Sequence, residues 1–141
     1  MVCRAMAFSM ILLVFTAQAW GAGSSKGYGY GGWFERFDPV VAQYNQSGEE
    51  FRIEGHCQSA CTLFLAIRNV CIDPRANLLF HAGHGRNNQI AAGPTNHMMK
   101  AYNFKLRQYL MSVRAMESLK FHAILGRDMI QKFGYRECPK T

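Results

Sequence analysis

The longest largely apolar stretch in this 141-residue chain, Met6 to Phe15, falls short of the roughly 20 residues that a membrane-spanning helix needs. Dense basic runs and nucleic-acid-binding motifs are missing too. Sixteen Lys and Arg outnumber nine Asp and Glu, for a formal net charge of +7, but they are scattered along the chain. This pattern favours a solvated basic surface, with some attraction to anionic lipid or polymer, over nucleic-acid binding. No internal repeat is visible. The spacing Cys57-x3-Cys61-x9-Cys71 lacks the two close-spaced ligand pairs of a zinc finger. A zinc module built from these cysteines with His56, His81 or His84 is therefore a minor alternative, and no metal or cofactor is expected.

What is present begins with a leader. Arg4 supplies a positive charge, Met6 to Phe15 is mostly apolar, and Ala17-Gln18-Ala19 places small residues where a signal peptidase reads them. Residues 1–19 read as a signal peptide, residues 20–36 as a flexible or turn-rich, Gly-rich lead-in, and residues 37–141 as one α/β domain. Cleavage after Ala19 leaves Cys57, Cys61, Cys71 and Cys138. An even count in an exported chain favours disulfides, and four cysteines allow three pairings. The expected location is periplasmic or secreted, with no stable membrane span after cleavage.

Elements follow from the pattern. Asp38 is expected to cap a helix with Pro39 at its first position, Val40, Val41 and Tyr44 on one face and Trp33 and Phe37 packed nearby, and Gly48 stops it. Strands are expected at 51–55, 70–72 and 76–80, with a short buried helix near 60–67. Ser24 to Tyr30 carries no alternation of a buried strand. Residues 82–95 read as a loop. The longest helix is expected from Thr95 or Asn96 to Val113, with Met98, Met99, Tyr102, Leu106, Tyr109, Leu110 and Val113 as its apolar stripe, followed by helical stretches at 116–125 and 127–133. The helix 96–113 offers a surface for self-association into a homo-oligomer.

The chemistry centres on Gly55-His56-Cys57-Gln58-Ser59-Ala60-Cys61. Ser59 lies at a strand-to-helix junction, where backbone N–H groups lack partners. It is either a helix cap or a nucleophile with the Ala60 N–H holding an oxyanion. A nucleophile needs a base. His81, delivered at the end of a strand, is the best placed; His84 lies in the following loop, and His56 is three residues from the serine. Asp128 is either a third member orienting His81 or an acid complementing a helix dipole.

Two runs carry a resemblance: Gly55-x-Cys57-x-Ser59-Ala60-Cys61-Thr62-Leu63 and Cys71-Ile72-x-Pro74-Arg75-Ala76-x-Leu78-x-Phe80-His81-Ala82. Together they resemble small exported bacterial proteins similar to the Clp protease proteolytic subunit, of the Clp/crotonase-like fold. The order of features is similar as well: Gly31-Gly32, then Ser59 28 residues after Gly31, His81 22 residues later and Asp128 47 beyond that. The resemblance covers roughly residues 31–82. It implies a compact α/β spiral core with C-terminal helices, and a serine peptidase acting on peptide or protein. Ser59 is then the nucleophile, His81 the base, and the N–H groups of Gly32 and Ala60 the oxyanion hole. The alternative is a non-catalytic exported protein that keeps the fold for binding or assembly, stapled by its disulfides.

Overall fold

The computed structural model describes residues 22–140. The expected signal peptide lies outside them. In chain order the strands are β1 (Gly23–Ser24), β2 (Phe51–Ile53), β3 (His56–Gln58), β4 (Val70–Ile72), β5 (Asn77–Phe80) and β6 (His122–Leu125). The α-helices are α1 (Asp38–Ser47), α2 (Ala92–Lys100), α3 (Phe104–Ser112) and α4 (Gly126–Gln131). A 3-10 helix spans Ser59–Ala66.

The strands form two three-stranded sheets. One runs β1-β2-β4, all parallel; the other runs β3-β5-β6, with β6 antiparallel. The chain crosses from the first sheet to the second twice. It bends at Glu54-Gly55 between β2 and β3, and at Asp73 to Ala76 between β4 and β5. The two passes stack in register, Ile53 beside Ile72 and Cys57 beside Leu78. The 3-10 helix joins the passes, and its residues from Ala60 to Leu65 are buried.

Apolar burial holds this arrangement together. Phe64 of the 3-10 helix is fully buried and meets the rings of Tyr28, Phe37 and Phe51 at centroid distances of 4.5 to 5.5 Å. Each such side chain stabilises the fold by about 1.5–3 kcal/mol relative to exposure. Ile53, Ile72, Leu78, Phe80, Leu106 and Leu110 complete the centre. Two disulfides, Cys57–Cys61 and Cys71–Cys138, resolve the three open pairings into one.

Several elements differ from the sequence expectation. From residue 22 the lead-in is turn-rich rather than flexible, with turns over Lys26 to Tyr30, and it opens on a strand the pattern does not show: Gly23 and Ser24 pair with Phe51 and Arg52, and the Ser24 hydroxyl donates to Glu54 at 2.7 Å. Its strand is made by backbone and hydroxyl bonds, which leave no apolar alternation to read. Asp38 is the first residue of α1, not its cap, and its carboxylate meets His97 at 2.9 Å. Gly48 does end that helix, in the left-handed conformation. Trp33 packs outward, 61 % exposed, whereas Phe37 is buried.

The expected helix 96–113 is two helices, and the first begins earlier, at Ala92. Asn103 makes the break. Its side chain accepts from the Leu106 N–H, capping α3, and donates to the Phe133 carbonyl. The expected helix 116–125 is a 3-10 turn followed by β6. Ile124 is buried while Ala123 and Leu125 are exposed, a two-residue period along a strand that covers the open edge of β5.

Candidate active site

Ser59 opens the 3-10 helix with a φ of +54°, the left-handed region that non-glycine residues avoid. Its surroundings over-determine that conformation. The Cys57–Cys61 bond brackets it. The Gln58 N–H donates to the Gly29 carbonyl at 2.8 Å, and the Gln58 side chain donates to the Tyr30 carbonyl at 3.0 Å. Gly31 then passes so close that a Cβ there would lie 2.9 Å from the Gln58 carbonyl oxygen and 3.0 Å from the Ser59 Cβ. Only glycine fits that approach at a φ of +73°.

Ser59 and His81 line one cavity of about 550 Å³, together with Gly32 and His84. Its walls are mostly apolar: Trp33, Phe34, Pro94, Met98, Leu119 and Phe121 contribute. Arg86 lies over the Trp33 ring at 5.8 Å, on the same lining. Gly32 follows the close approach, and among the described residues its N–H makes no backbone hydrogen bond. The Gly31 N–H, by contrast, donates to the Tyr28 carbonyl at 3.0 Å. Ala60 sits at the second position of the 3-10 helix, where an N–H has no helical acceptor.

His81 follows the last residue of β5 and is 5 % exposed. Its Nδ1 lies 2.6 Å from the Ala82 carbonyl. A carbonyl only accepts, so Nδ1 carries the proton and Nε2 keeps a free lone pair. Burial pushes the imidazole pKa below its ordinary value; the Ala82 carbonyl opposes that shift and nearby His84 adds to it. The ring is therefore neutral near pH 7, with its Nε2 lone pair available. Phe121 meets it edge-on at 5.1 Å. Gly83 ties this strand end to α2, donating its N–H to the Thr95 hydroxyl at 3.0 Å.

Asp128 stands apart. The start of α4 bonds to the opposite end of β5, Gly126 N–H to the Ala76 carbonyl and Arg127 N–H to the Pro74 carbonyl. From Ala76 to His81 an extended chain covers roughly 15 Å. Asp128 does not line the cavity, and its carboxylate is 3.4 Å from Lys132. His56 bonds Gln58 at 2.8 Å and is likewise outside the lining. Among the described residues no group of three or more His, Cys, Asp or Glu is placed to hold a metal ion. The cavity walls Trp33, Leu119 and Phe121 are not among the residues the sequence singles out for the site, because nothing local distinguishes an exposed apolar side chain that lines a cleft from one that faces solvent.

No protein-family model, curated protein or solved structure matches the chain.

Proposed function

We propose that the protein is an exported serine hydrolase, a peptidase of Clp/crotonase-like architecture acting on peptide or protein in the periplasm or outside the cell. The observation that carries this reading is Ser59, held in left-handed backbone on a cavity it shares with a neutral His81 whose Nε2 is free. The two stacked β-bend-β passes are consistent with a spiral core, and the two disulfides with an oxidising compartment. Among the described residues no helix is long and apolar enough to cross a membrane.

In this mechanism the Ser59 Oγ attacks the substrate carbonyl carbon while its proton passes to His81 Nε2. The oxygen that gains charge takes hydrogen bonds from the Gly32 and Ala60 N–H groups. The imidazolium returns the proton to the leaving amine as the C–N bond breaks, and water then repeats the sequence to release the acyl group. The Ala82 carbonyl orients the imidazole, so the working unit is a serine–histidine pair. The apolar walls take a hydrophobic side chain beside the scissile bond.

A fluorophosphonate probe tests the reading on the oxidised chain, with intact mass as readout. One adduct is expected on the wild type. Ser59→Ala should abolish it, and His81→Ala should slow it at least a hundredfold. A folded, disulfide-bonded wild type that stays unlabelled would sink the hydrolase and favour a scaffold that binds without catalysis.

A further inference from the structure

We propose that Tyr102 is a positioning residue that presents the Ala60 N–H to the reaction and fixes Ser59 relative to His81. This rests on the hydrolase reading above. Tyr102 lies in the turn between α2 and α3, 3 % exposed, and is not part of the cavity lining. Its hydroxyl is 2.6 Å from Thr62 Oγ1, and Thr62 Oγ1 is 2.7 Å from the Ser59 carbonyl oxygen.

The direction of these bonds follows from proton counting. The threonine hydroxyl has one proton, and the carbonyl can only accept. That proton therefore points to Ser59, and Tyr102 donates to Thr62. Burial pushes the Tyr102 pKa far above its ordinary value, so the donor persists across the working pH range.

The Ser59 carbonyl and the Ala60 N–H belong to one planar trans peptide, so they point in opposite directions. Anchoring the carbonyl on the buried Thr62–Tyr102 side turns the Ala60 N–H away from it. A left-handed residue before this peptide makes its orientation costly to hold, and the hydroxyl pair adds a restraint on the carbonyl itself to those of the disulfide, the Gln58 bonds and the Gly31 approach. The ring of Tyr102 does the second task. It packs edge-on to Phe80 at 5.3 Å, and Phe80 is the residue before His81. One side chain thus touches both the element that carries the serine and the element that carries the histidine.

Three variants test this. Tyr102→Phe keeps the ring on Phe80 and removes the donor. Thr62→Val removes the hydroxyl that holds the carbonyl, and Thr62→Ser restores it. Labelling by the fluorophosphonate, measured well below each melting temperature, should slow by about ten- to a hundredfold in Tyr102→Phe and Thr62→Val. Thr62→Ser should stay within about threefold of wild type. The midpoint of the pH–rate profile should not move, since the contacts of the His81 ring are unchanged. Wild-type rates in Tyr102→Phe and Thr62→Val would overturn the proposal. A wild type that does not label overturns the hydrolase instead, and NMR then decides the positioning role. Displaced Ser59 carbonyl-carbon and Ala60 amide shifts in Tyr102→Phe support it; unmoved shifts overturn it.

Discussion

Ser59 and His81 face one cavity but are held in opposite ways. The serine sits in unfavourable backbone and is restrained from four sides, by a disulfide, the glycine approach, the Gln58 bonds and the Thr62 hydroxyl. The histidine sits at a relaxed strand end, and its ring is oriented by one neighbouring carbonyl. The contrast has a physical reason. A nucleophile must present both its oxygen and an adjacent N–H, which fixes a peptide plane as well as a side chain. A base needs only one lone pair aimed into the cleft. The serine side should therefore respond sharply to loss of restraint, while the histidine side should respond to its electrostatic surroundings.

The two disulfides allow the sharpest test. Cys57–Cys61 closes a loop with a sequence separation of 4, and Cys71–Cys138 one with a separation of 67. Chain entropy assigns about 2 kcal/mol to the first and about 4 kcal/mol to the second. Stability and reactivity should then part company. Replacing Cys71 and Cys138 by Ala should lower denaturant stability more, yet leave labelling of the folded protein within about threefold, because that bond ties the tail to β4. Replacing Cys57 and Cys61 should cost less stability but slow labelling by about a hundredfold. Equal effects of the two pairs on labelling would mean that the clamp around Ser59 is a staple and nothing more.

How much of this was legible follows the same division. The serine side announces itself locally: two cysteines flank Ser59, and a strand-to-helix change surrounds it. The histidine was readable as the end of an apolar run, Leu78 to Phe80. What could not be read depends on distant partners. Only β2 gives Gly23-Ser24 a strand, and only the open edge of β5 makes a strand of His122–Leu125. Asn103 divides the long helix by reaching Phe133, about which neighbouring residues say nothing. Tyr102 reads as one position in an apolar stripe. Its hydroxyl bond to Thr62, 40 residues away in sequence, is invisible without the fold.

The electrostatic half of the comparison predicts a smaller effect. Burial lowers the His81 pKa from its ordinary value of 6.5, so the labelling rate should reach half its plateau below pH 6.5 and rise as the imidazole deprotonates. The same shift has a consequence for stability. Between the lowered folded pKa and 6.5, the unfolded chain binds the proton that the folded chain refuses. The contribution of His81 is thus intact above that window, and stability declines as pH falls through it. His84, with its ring centroid 6.0 Å away, adds to the depression. His84→Gln should move the midpoint upward and leave the plateau rate nearly unchanged. A downward move would show that His84 supports the charged ring.

The smallest effect is expected at Asp128, and it bears on whether the histidine needs an acid behind it. A carboxylate partner would hold the imidazolium and raise the His81 pKa. The pKa instead falls, and the Nδ1 proton already has its acceptor in Ala82. Asp128 lies in the first turn of α4, paired with Lys132 four residues on. Asp128→Asn should therefore reduce stability by under about 1 kcal/mol, through a lost exposed pair and a weaker dipole interaction. Labelling should stay within about twofold of wild type, because no reacting group is displaced. A hundredfold loss with an unchanged melting curve would return Asp128 to the mechanism, and would require α4 to move toward the cavity when substrate binds.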